Sequence, residues 1–88
     1  MQIEYNKTKN ESNYEKHGVY LQEAERIEWA TLWAMTDDRK EYNENRMIGY
    51  AYIGKCIYCI VYVDRLNIRR IISLRKANSR EVKNYAEA

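Results

Sequence analysis

Apolar and polar residues alternate weakly from Met1 to Tyr5, as in a short strand. Lys7 to His17 then runs without a breaker. With Asn6 as N-cap and Gly18 as a left-handed C-cap, it predicts a helix with a broad polar side. Leu21, Ala24 and Ile27 recur at three-residue spacing, which predicts a second helix from about Tyr20 that ends near Glu28 to Ala30. Ala30 to Thr36 reads as a strand, with Leu32 and Ala34 facing opposite to Trp33 and Met35, and Asp37 to Asn45 reads as a charged loop. Three more strand-like runs, Arg46 to Ile53, Ile57 to Val63 and Ile68 to Leu74, are separated by connections short enough for hairpins. A last helix from about Ser79 to Ala88 takes Asn78 or Ser79 as its cap. The order predicts an α+β fold with a central antiparallel sheet, two N-terminal helices and a C-terminal helix, a meander rather than a parallel sheet with crossovers.

Composition narrows the class. At 88 residues the chain is expected to form one domain, 1–88, with a small core. Apolar residues at 45% and charged residues at 32% fit a globular protein rather than a disordered one. No stretch approaches the roughly 20 apolar residues that span a bilayer, and MQIEYNKTKNE is too polar for a signal peptide, so a soluble, cytoplasmic protein is expected. Charge is uneven: before Arg46 ten acids outnumber six cations, whereas from Arg46 onward nine cations face three acids. Such asymmetry points to a nucleic acid or an acidic partner.

The cysteines of Cys56-Ile57-Tyr58-Cys59 lie in an apolar, β-branched run, where residues three apart point to opposite faces; buried free thiols fit better than a redox pair. With one His and no second cysteine pair, zinc is not expected. In the last strand, alternation places Ile68, Arg70, Ile72 and Leu74 on one face and Arg69, Ile71, Ser73 and Arg75 on the other. Arg70 and Arg75 therefore share a site only if a bulge intervenes or Arg75 lies past the strand end. His17, the sole histidine, follows Lys16 in the last turn of a helix, where both suit the helix carboxyl end. It is also a proton shuttle by residue type. With no Walker loop, dinucleotide fingerprint or metal cluster, an enzyme of this sequence is expected to work without metal or organic cofactor. One such reaction is attack of an RNA 2′-hydroxyl on the adjacent phosphorus. That reaction needs cations for the developing charge and two proton movements, and Arg46, Arg70, Arg75, Lys76, His17 and Tyr85 offer these parts. The same parts also serve plain RNA or DNA binding.

A resemblance sharpens this choice. Ile3 to Asn13 (IEYN…N), Lys16 to Val19 (KHGV), Glu23-Ala24, Glu44 to Arg46 (E-x-R), Ile60 to Arg65 (IVYVDR), Arg70 to Ala77 (RIISLRKA), then Glu81 and Tyr85, in that order and at this length, resemble BrnT-type toxins, the ribonuclease halves of bacterial type II toxin–antitoxin pairs. The resemblance implies a compact RelE-like fold, RNA cleavage that halts translation, and neutralisation by a cognate antitoxin. That antitoxin would bind operator DNA through a ribbon-helix-helix type module, and the complex, a dimer of toxin–antitoxin heterodimers, would repress its own operon. Carried over by position, the catalytic candidates are His17, Arg46, Arg70, Arg75 and Tyr85. Lys16, Arg69, Lys76 and Arg80 are candidates for contacts to RNA phosphates. The chain has Tyr20 where the family usually has a small capping residue, so the second helix lacks its usual cap. The alternative is a non-catalytic module that keeps the toxin fold, binds RNA or an antitoxin, and acts in operon regulation.

Overall fold

Asn6 starts the first helix by accepting a hydrogen bond from the Lys9 amide at 3.0 Å, and Gly18 ends it in the left-handed region at φ 72°. In the computed structural model, which describes residues 2–39, 41 and 43–88, this helix, α1, spans Lys7–His17. Met1, part of the expected first strand, and Lys40 and Tyr42, part of the expected charged loop, lie outside the described residues.

The second N-terminal helix is not an α-helix. Leu21–Arg26 forms a 3-10 helix, and Ile27 leaves it in extended backbone. Leu21, Ala24 and Ile27 are all buried, and their three-residue spacing stacks them on one face of a helix with about three residues per turn. Tyr20 supplies no side-chain cap; instead Asn10 of α1 reaches across and accepts from the Leu21 amide at 2.6 Å.

Five strands form one sheet in the order β1-β5-β4-β3-β2: β1 Gln2–Tyr5, β2 Glu28–Thr36, β3 Arg46–Ile53, β4 Cys56–Arg65 and β5 Ile68–Lys76. Strands β2 to β5 make the expected antiparallel meander. The sheet as a whole is mixed, because β1 pairs in parallel with β5, placing Glu4 opposite Arg70. The first strand thus returns to the last, and the chain between them is the crossover. Helix α2, Ser79–Glu87, follows β5 and begins with a reciprocal capping box between Asn78 and Glu81.

Register in β5 departs from simple alternation. Val61 pairs with Ser73 but Tyr62 pairs with Ile71, so Ile72 is an extra residue, a β-bulge. Ile71 and Leu74, three apart, therefore both enter the main core beside Leu21, Ala24, Ile60 and Tyr62. This core fills one face of the sheet, under the 3-10 helix. Past the reach of β1, the edge of β5 is closed by a side chain: buried Asn13 of α1 donates to the Leu74 carbonyl at 2.7 Å and accepts from the Leu74 amide at 3.2 Å. Its amide stands in for a neighbouring strand and ties α1 to the bulge. The same Nδ2 donates to the Val19 carbonyl at 2.8 Å.

Candidate active site

The bulge decides which cations share a face. Cross-strand partners point the same way. One row therefore carries Arg70 of β5, Val63 of β4 and Arg46 of β3. A second carries Arg75, Cys59, Tyr50 and Trp33. Val63 and Cys59 are four apart on β4, so both rows lie on the same face, opposite the main core. Between them runs a row of Ser73, Val61, Ile48 and Met35. Arg46, Arg70 and Arg75 thus share one face of the sheet, which simple alternation denied to the last two.

Carboxylates orient Arg70 and Arg75. Arg70 donates to Glu4 at 2.7 Å across the parallel pair. Arg75 holds Glu81 of α2 through two hydrogen bonds of 2.7 and 2.8 Å. Glu81 also accepts from the Tyr50 hydroxyl at 3.0 Å and from the Asn78 amide at 2.9 Å. Hydrogen bonds from Arg75 hold the Glu81 carboxyl down at about 2. The same pairing pushes the Arg75 guanidinium further above its ordinary value. Burial first, then the neighbouring Cys59 and Glu81, raises the Tyr50 hydroxyl. Burial also raises the Cys59 thiol, against the pull of Arg75 and Arg39. Both cysteines are free, as expected; Cys59 is buried but Cys56 is exposed, which corrects the expectation of two buried thiols.

Tyr85 lies on this same face, against Trp33 and Tyr52, whereas the other candidates are dispersed. His17 and Lys16 line a groove between α1 and β5 with Lys9, Ser12 and Ser73. Ser73 is also a member of the row between Arg70 and Arg75, so the groove meets the arginine face at the bulge. Lys76, the last residue of β5, pairs with Tyr58 on the face opposite Arg75 and shares a second hollow with His17. Arg80 is exposed on α2. Tyr85 packs its ring edge-on against Trp33 and Tyr52, and its hydroxyl donates to the Thr31 carbonyl. Arg69 is on the opposite face from Arg70: its guanidinium lies 4.3 Å from the Tyr62 ring centroid and 4.8 Å from that of Trp29, and it grips Asp64 at 2.7 and 2.9 Å.

Sequence reasoning missed Tyr50, Glu4 and Arg39 as members of this face. Arg39 pairs with buried Asp37 at 2.7 and 2.8 Å and acts on Cys59. Glu4 alternates with the core-facing Ile3 and Tyr5, and finding its partner needed the parallel pairing. Among the described residues no three His, Cys, Asp or Glu side chains group to hold a metal ion, and no helix is long and apolar enough to cross a membrane.

The class defined by fold and site is a small α+β protein with three arginines on one sheet face, two of them held by carboxylates. A family model described as the ribonuclease toxin, BrnT, of type II toxin–antitoxin systems matches residues 5–81, and the chain belongs to that family. The matched span includes His17, Arg46, Arg70 and Arg75, whereas Tyr85 follows it. No curated protein matches the chain.

Proposed function

We propose that this toxin cleaves RNA without a metal ion, on the face carrying Arg46, Arg70 and Arg75. The observation that carries the reading is the bulge at Ile72, which turns Arg70 and Arg75 to one side of the sheet with Ser73 between them. The RNA 2′-oxygen, as it loses its proton, bonds to the adjacent phosphorus. The bond to the 5′-oxygen breaks, and that oxygen takes up a proton. The products are a 2′,3′-cyclic phosphate and a 5′-hydroxyl. Arg70 and Arg75 stabilise the charge gathering on the non-bridging oxygens, and Arg46 widens the cationic floor. His17, at the groove that meets Ser73, is the better candidate for proton transfer, because the Tyr85 hydroxyl is already donated to Thr31. Lys16, Lys76 and Arg80 hold flanking phosphates. Arg69 is left out of this set, because its pairing with Asp64 and its two aromatic neighbours give it a packing role on the other face.

The proposal extends to the partner and the setting. The fold is RelE-like, the reaction takes place in the cytoplasm, and it halts translation. A cognate antitoxin with a ribbon-helix-helix type DNA-binding module covers the cationic face, and the pair represses its own operon as a dimer of heterodimers. A second reading, a non-catalytic regulatory module, draws support from the carboxylates already bound to Arg70 and Arg75. Growth arrest on expression separates the two. The ribonuclease reading expects arrest by the wild type, and its loss in Arg70→Ala with thermal unfolding and antitoxin binding retained. Equal growth of cells expressing either protein, both folded and both binding antitoxin, would favour the regulatory module.

A further inference from the structure

At the carboxyl end of α1 lies a hollow of about 320 Å³ lined by His17, Tyr20, Glu23, Tyr58 and Lys76 among others. It adjoins the α1–β5 groove at His17, which lines both. Through Ser73 that groove reaches the arginine face. Tyr20 is stacked on Tyr14 with centroids 4.3 Å apart and planes 13° from parallel. Tyr20 is 39% exposed and Tyr14 46%. Asn10 pins the backbone directly after Tyr20, through the Leu21 amide. Tyr20, unlike Tyr14, lines the hollow, and its ring is backed by that of Tyr14.

We propose that this hollow is a nucleotide subsite: an unpaired base of RNA stacks on Tyr20, and the phosphates beside it lie against His17, Lys16 and Lys76. The proposal rests on RNA being the ligand of the arginine face. A preset, exposed aromatic ring beside cations is the arrangement by which proteins hold single strands, because every base offers a flat face and the backbone offers charge. Lys9, Lys16 and Lys76 form no ion pair among the described residues, so their charges are available to phosphate, and His17 lines the hollow and the groove beside them. The one carboxylate in the hollow, Glu23, is paired with Arg26 at 2.8 Å. It would repel a phosphate but accept from the amino or imino edge of a base, which sets the base toward Glu23 and the backbone toward His17. An acidic peptide would satisfy the cations and leave the Tyr20 ring without a flat partner, so a nucleotide fits the hollow better.

The test is binding of a short 2′-O-methyl oligonucleotide, which cannot be cleaved, beside the same strand with abasic positions. Tyr20→Ala is expected to weaken the first roughly ten-fold and the abasic strand hardly at all, and Tyr20→Trp to restore affinity. Tyr20→Leu, which keeps an apolar neighbour for Tyr14, should match Tyr20→Ala in binding and the wild type in unfolding temperature. Equal binding by wild type and Tyr20→Ala, or the same loss with the abasic strand, would overturn the subsite. So would a Tyr20→Ala variant that loses antitoxin affinity and keeps the oligonucleotide, since the occupant would then be protein. Cleavage of RNA with no dependence of binding on Tyr20 overturns the subsite alone. Tyr20-dependent binding by a protein that cleaves nothing upholds the subsite and overturns the ribonuclease reading.

Discussion

Arg69 and Arg70 are neighbours in sequence with different surroundings. Arg70 reaches Glu4 on the arginine face, while Arg69 is drawn to Asp64 and the rings of Trp29 and Tyr62, with only 13% of its side chain exposed. Alternation in a strand predicts the opposite directions, but nothing local tells which direction meets aromatic rings. Arg69→Ala should therefore lower stability by about 1–2 kcal/mol, measurable by urea unfolding, since it removes two cation–π contacts and a partly exposed ion pair. Glu81 shows a similar gap between a residue and its role. From sequence it is a helix-capping acid, whereas in the fold it also holds Arg75 and Tyr50. Its carboxyl is depressed from 4.5 to about 2, so the stabilisation it supplies is complete above pH 4.5 and is lost as pH falls through about 2. Trp33, against which Tyr85 of α2 packs, should report that loss as a fluorescence change across this window. In Glu81→Gln the change should be absent and α2 should be looser at neutral pH. An unaltered titration in the variant would contradict the assignment.

At the scale of elements, strand and helix positions were mostly legible. Asn6, Gly18 and the apolar runs set α1 and β2 to β5 closely, because these signals are local. Leu21, Ala24 and Ile27 had the spacing of a 3-10 helix, and the helix ends at Arg26, before the expected Glu28 to Ala30, because β2 already starts at Glu28. The parallel β1–β5 pair and the Ile72 bulge were not legible, since both depend on which strands meet across the whole chain. Two contacts between elements can be probed. A Cβ at Gly49 would lie 2.7 Å from Leu32 Cδ1, 3.0 Å from the Ala34 Cβ and 3.2 Å from the Trp33 carbonyl oxygen, so an added side chain would crowd β2 against β3. Gly49→Ala should cost about 1–3 kcal/mol in thermal or urea unfolding. Asn13→Ala removes the partner of both polar groups of Leu74 and should cost about 3 kcal/mol, with faster amide exchange at Leu74 as its signature.

Across the whole molecule, the acidic first half and basic second half are folded partly onto each other. Glu4 meets Arg70 and Glu44 meets Arg65. Lys9, Lys16 and Lys76, which form no ion pair among the described residues, line the groove and the hollow at the carboxyl end of α1. The candidate site was legible as a set of residue types and as a family resemblance, but its geometry was not, because the bulge alone reconciles Arg70 with Arg75. The most direct measurement is cleavage of a defined end-labelled RNA by purified protein in EDTA, with Arg70→Ala beside it. The account predicts cutting by the wild type that leaves 2′,3′-cyclic phosphate ends, and a loss of about two orders of magnitude or more in the variant. Intact RNA with the wild type, both free in solution and on ribosomes, or cutting that Arg70→Ala performs equally well, would contradict it.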